Sequence, residues 1–71
     1  MIKIEFSPEE VKRLHFERRY HPHSRVRRRM EAVYLKAIGY QHQEIERIVS
    51  ISQKTLRGYL RMYQAGGIEA L

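Results

Sequence analysis

The chain has no cysteine, and its eight acidic residues are all glutamate, so aspartate is absent as well. Without cysteine there can be no disulfide and no thiolate metal site, and a reducing compartment is compatible. Without aspartate, this polypeptide alone cannot run a mechanism that needs that residue as metal ligand or nucleophile. No glycine-rich phosphate loop and no Ser/His/Asp set is present either. No apolar run approaches the roughly 18–20 residues that span a bilayer. The opening MIKIEF lacks the long apolar core of a signal peptide. The expectation is a cytoplasmic protein that is not an enzyme, with no cofactor, no metal and no small-molecule substrate.

What is present is positive charge. The net charge is +6 over 71 residues, which points to an acidic partner. Residues 1–29 hold nine Lys/Arg against four Glu, so nearly all of the excess sits in the first part of the chain. A chain this short forms at most one small domain, and a modest apolar core with good helix caps must hold it together. The hydrophobic content of 42% allows that core.

Along the chain, IKIEF at 2–6 alternates apolar and charged residues and reads as a short extended arm. SPEEV then starts a helix over 8–19. Ser7 is its N-cap, Pro8 takes the first turn, Glu10 closes a capping box, and Phe6 and Val11 stand at the positions of a hydrophobic staple. Val11 and Leu14 make a thin inner face, whereas Phe16 points elsewhere and needs a contact on another surface. The proline of YHPHS breaks the helix, and Ser24 is placed to cap the next one, over 25–38. Its apolar residues at 26, 30, 33, 34, 37 and 38, widened by Leu35, form an arc broad enough for two neighbours, which makes it the central helix. Gly39 stops it. A third helix over 42–49 turns Ile45, Ile48 and Val49 inward. A fourth over 53–64, capped by Ser52, presents Leu56, Tyr59, Leu60 and Tyr63 on one face and ends at Gly66-Gly67.

The stretch from His42 to Leu60 fits a helix-turn-helix, in which one short helix braces a second whose outer face enters the major groove of DNA. Two positions depart from the usual pattern. Glu46 stands where a small residue normally lies at the crossing, and Ser50 stands where glycine normally makes the turn. Opposite Leu56, helical spacing clusters Lys54, Arg57, Gly58 and Arg61 on the outer face. Arginine can bond guanine in two-pronged fashion, and Lys or Arg can neutralise phosphates. Mid-helix glycine costs about 1 kcal/mol relative to alanine, but a bare backbone inside a basic face permits close approach. Ser52, Gln53 and Thr55, at the helix start, complete the candidate groove-reading set. The plain alternative is a solvated helix face with a tolerated glycine.

A second candidate set for phosphate contacts is Arg25, Arg27, Arg28, Arg29 and Lys36, with Gln43 at the start of the third helix. Helical spacing puts Arg25 and Arg29 with Lys36 on one side, Arg27 at the core border and Arg28 apart. Positive residues at a helix N-terminus oppose its dipole, which favours an anionic partner over a role in solubility alone. His21-Pro-His23 offers two imidazoles, but neither His15 nor His42 supplies a convincing further ligand. Loop histidines near phosphates are the preferred account. Tyr34, Tyr59 and Tyr63 fall on core faces and read as packing residues.

From Arg25 onward the segments RVRRRMEAVYLKAIG, EIERIVSISQKTLRGYLRMY and GGIEAL resemble the N-terminal DNA-binding region of bacterial insertion-sequence transposases of the mariner-like superfamily. The resemblance implies an all-α, homeodomain-like helix-turn-helix bundle that binds terminal inverted repeats. It also implies that catalysis belongs to a separate acidic, magnesium-holding domain. By resemblance the groove-reading role falls on Ser52, Gln53, Lys54, Thr55, Arg57 and Arg61. The expectation is a single domain over 1–71, with about four helices and a short N-terminal arm over 1–6, that binds duplex DNA and cannot cut it unaided. An excised domain, the product of a split or decayed element, and a stand-alone binder all fit that expectation. Two rivals stand beside it. One is a stand-alone transcriptional regulator using the same surface and pairing with a second copy through the arm or first helix. The other is a helical module that binds RNA or an acidic protein.

Overall fold

The computed structural model describes residues 3–71. Ser7 starts the first helix, α1 (Pro8–Tyr20): its hydroxyl oxygen accepts from the Glu10 N–H at 3.2 Å, and Pro8 fills the first turn. Glu9 and Glu10 lie at the positive end of the helix dipole, and Arg18 and Arg19 at the negative end. The reciprocal half of the expected capping box is replaced. The Glu10 carboxylate accepts from the Ser7 hydroxyl and, across the molecule, from the Tyr63 hydroxyl. Phe6, expected over Val11, stacks on Tyr63 with ring centroids 5.2 Å apart. Both departures have one cause: the end of the last helix lies against the arm, a neighbour no local pattern contains. Residues 3–7 run without helix or strand, with Ile4 and Phe6 packed on the core. Met1 and Ile2, the start of the expected arm, lie outside the described residues.

α1 ends where His21 adopts the extended conformation that a following proline imposes. The second helix, α2 (Ser24–Ala37), begins one residue earlier than expected. Ser24 is its first residue, and His23 stands at the cap without a side-chain bond. α2 is central, packing on α1 and on the two helices that follow. It therefore buries residues on two sides: Met30, Val33, Leu35 and Ala32. Ala32, absent from the apolar arc read from spacing, has no exposed surface. Ile38, expected inside, lies beyond the helix end and is exposed.

The third helix, α3 (His42–Val49), buries Ile45 and Val49. Its N-terminus is closed by the Glu44 carboxylate, which accepts from the Gln41 N–H at 3.1 Å. Ile48, expected inside, is 53% exposed: an eight-residue helix presents too narrow a face to bury three apolar residues. Ser50 makes the turn with φ 61° and ψ 52°, a left-handed conformation that costs a non-glycine residue roughly 1 kcal/mol. Ser52 then caps the fourth helix, α4 (Gln53–Gly66), accepting from the Thr55 N–H at 3.1 Å. Gly67, at φ 70°, turns the chain into a 3-10 turn over Gly67–Ala70. That turn returns Ile68 and Leu71 to the core.

The largest side chains without exposed surface are Leu14, Val33, Ile45, Leu56 and Leu60, so all four helices share one core. No polar or charged residue is buried among the described residues. The fold is all-α, with four helices and no strand among the described residues.

Candidate nucleic-acid interface

Leu56, Leu60 and Tyr63 anchor α4 inward, and this sets what faces out. Gln53, Lys54, Arg57, Gly58 and Arg61 are exposed and line one shallow open depression. Ser52 is exposed beside them at the cap. Thr55 is half-buried, its hydroxyl 2.9 Å from that of Ser52. The ion pairs among the described residues, Arg13–Glu69 at 2.6 Å and Arg18–Glu31 at 2.8 Å, leave this face untouched. Three cations thus gather with no carboxylate paired to them. Gly58 lies in their midst, and a Cβ added there would meet nothing within 4 Å. Packing inside the chain gives no reason for glycine at this position.

The arginines of α2 divide. Arg25, Arg28 and Arg29 line a second depression with Ser24 and Tyr59. Arg28 therefore does not sit apart as spacing suggested, because the neighbouring surface of α4 supplies the other wall. Arg25 and Arg28 are exposed. Arg29 is half-buried, donating to the Leu71 carbonyl at 2.9 Å, with its guanidinium 5.9 Å from the centre of the Tyr59 ring. Arg27 is also committed within the chain, donating to the His21 carbonyl at 2.6 Å. Lys36 shares the helix side of Arg25 but not its depression. Eleven residues further on, it stands about 16 Å along the axis, and buried Ala32 comes between. Lys36 lines a third depression with Tyr40, Gln41, His42 and Gln43.

His42, weighed in the sequence only as a possible metal ligand or loop residue, is half-buried at the start of α3. Its Nε2 is buried without a hydrogen-bond partner. Burial, then the charge of Lys36 and, more weakly, of Arg57, hold its pKa below the usual histidine value, against an opposing influence from Glu46. His42 thus marks where the positive potentials of α2 and α4 overlap at the N-terminus of α3. The sequence signal was the polar QHQ run that opens that helix. The remaining histidines are occupied otherwise. His15 lies 3.2 Å from an Arg18 amino group and packs on Tyr34, and His21 Nδ1 accepts from the His23 N–H at 3.1 Å. Among the described residues, no three His or Glu side chains come together as a metal site, and no helix is long and apolar enough to cross a membrane.

A brace helix, a left-handed turn and an outward basic helix on a shared core define a helix-turn-helix DNA-binding domain. A family model for homeodomain-like domains matches residues 23–71, and the protein belongs to that family. No curated protein and no solved structure matches the chain. The family unit comprises α2, α3, α4 and the closing turn; the arm and all of α1 lie outside it.

Proposed function

We propose that the protein binds duplex DNA sequence-specifically, with α4 in the major groove, and that its target is the terminal inverted repeats of a transposable element. Ser52, Gln53, Lys54, Thr55, Arg57 and Arg61 contact base edges and nearby phosphates, and Gly58 lets the helix backbone come close. Arg25 and Arg28 take phosphates on one flank, with Arg29 behind them. Lys36 and Gln43 take phosphates on the other. Arg27 serves the fold. The chain supplies recognition, and DNA cleavage belongs to residues outside this sequence. What supports the inverted-repeat target is the resemblance from Arg25 onward. A stand-alone regulator would use the same surface, and the target DNA separates the two: element ends in one case, an operator near regulated genes in the other.

The observation that carries the DNA reading is Gly58, which lies among unpaired cations and is not needed for packing. It yields a test in which stability and function move in opposite directions. Gly58→Ala introduces no clash and a better helix former, so thermal unfolding should show a stabilisation of up to about 1 kcal/mol. Fluorescence-anisotropy titration should show weaker binding to target duplex. A variant both more stable and equally tight in binding would remove the groove role of this face. Equal affinity for duplex DNA and single-stranded RNA at matched salt would instead favour the rival module that binds RNA.

A further inference from the structure

α1 has an outer face that no other element covers. Around the helix at 100° per residue, Phe16 lies about 200° from buried Leu14, pointing directly away from the core. Phe16 and Tyr20 are 58% and 64% exposed, and their rings pack on each other with centroids 4.8 Å apart. Glu9, Lys12 and Arg19 share this face and are exposed. None of them appears in the ion pairs among the described residues. Neither the homeodomain-like unit nor the candidate DNA surface uses this face.

The order of residues on the stripe is self-complementary. It runs from an acid near the N-terminus through a lysine and an aromatic ring to an arginine and a second ring. Leu14 stands midway along Pro8–Tyr20. If a second α1 is laid antiparallel with its axis of symmetry at that level, Glu9 comes level with Arg19 of the other copy, and a tilt of one helix across the other brings the two together. Lys12 then meets the face of Phe16, and Tyr20 meets Pro8. Glu9, Lys12 and Arg19 each come level with an opposite charge or a ring, Arg13 keeps its own pair with Glu69, and each contact occurs twice, as two-fold symmetry requires. A parallel pairing would instead set each charge against its own kind.

We propose that the outer face of α1 pairs with the same face of a second copy of this chain, antiparallel, through Phe16, Tyr20 and the Glu9–Arg19 pairs. Two helices about 20 Å long make a contact at or below the ~1,200 Å² floor of stable interfaces. The pairing is therefore weak in free solution and strengthens when one DNA molecule holds two copies side by side, because the second contact becomes intramolecular.

The test uses the full chain in analytical ultracentrifugation across a concentration series. Wild type should move towards the dimer mass as concentration rises, and Phe16→Glu should stay monomeric. Glu9→Arg places like charges at both ends of the pairing and should stay monomeric, as should Arg19→Glu for the same reason. An equimolar mixture of those two variants restores both attractive pairs and should dimerise. A wild type that is monomeric at every concentration, a Phe16→Glu dimer, or a mixture no more associated than its components would overturn the proposal. Affinity for DNA carrying one site should be the same in Phe16→Glu and wild type. A loss there would assign the face to DNA instead and equally overturn the pairing, while leaving the α4 reading to its own test.

Discussion

The two basic surfaces of this protein are built from the same residue types on neighbouring helices, yet they are engaged differently. On α4, Lys54, Arg57 and Arg61 point outward without ion pairs and surround a bare stretch of backbone at Gly58. On α2, Arg27 and Arg29 donate to the carbonyls of His21 and Leu71, and Arg25 and Arg28 remain exposed. An arginine that donates to a backbone oxygen of its own chain belongs to the fold first. One without such a bond keeps all of its donors free for a partner. Charge counted along a sequence does not make that distinction; hydrogen-bond partners do.

The largest expected effect lies on α4. Arg57→Ala and Lys54→Ala should each weaken binding to target duplex, by about 1–3 kcal/mol where the lost contact is to a base edge. Thermal unfolding should hardly change. Unaltered affinity in both variants would erase the contrast between the two surfaces.

The α2 arginines sharpen the comparison at a smaller scale. Arg29→Ala should lower stability by about 1 kcal/mol through the lost bond to Leu71, measurable by urea unfolding. Arg25→Ala and Arg28→Ala should leave stability alone. Each should reduce affinity evenly across sequences and make the salt dependence shallower by about one unit of slope. A changed base preference in either would contradict a phosphate role.

The smallest effect concerns His42, which feels the charges of Lys36 and Arg57. Its folded pKa is depressed below 6.5, so as pH falls through that value the unfolded chain takes up a proton that the folded chain resists. Stability should therefore decline as pH drops below about 6.5 and level off below the folded pKa. His42→Gln should remove the part of that decline that His42 contributes. Identical pH profiles in denaturant unfolding would mean that neither burial nor the charges of Lys36 and Arg57 depress His42.

Much of the architecture could be read in one dimension. The Ser7-Pro8 start of α1, the proline break and the Ser52 cap of α4 are local chemistry and emerge as expected. Ser50 in the glycine position of the turn adopts the left-handed conformation whose cost its identity implied. The errors cluster where a second element intervenes. Periodicity turns Ile48 and Ile38 inward, because it reports a helix's faces but not how much of each face a neighbour covers. Ala32 shows the converse: a small residue carries little hydrophobic signal, yet it has no exposed surface. Phe6 and Glu10 were paired with near neighbours, and both reach Tyr63, more than fifty residues away.

For this protein the sequence alone determined the helices, the Ser7 and Ser52 caps and the outward direction of the α4 cations, because dihedral preference, capping and amphipathic period act over a few residues. Tertiary structure decided which arginines are committed to carbonyls, which depression each cation lines, that His42 lies under two positive charges, and that Phe16 and Tyr20 remain uncovered. Those outcomes depend on distances between elements far apart in the chain. Hydrogen bonding, desolvation and Coulomb interaction act through space, whatever the separation along the backbone.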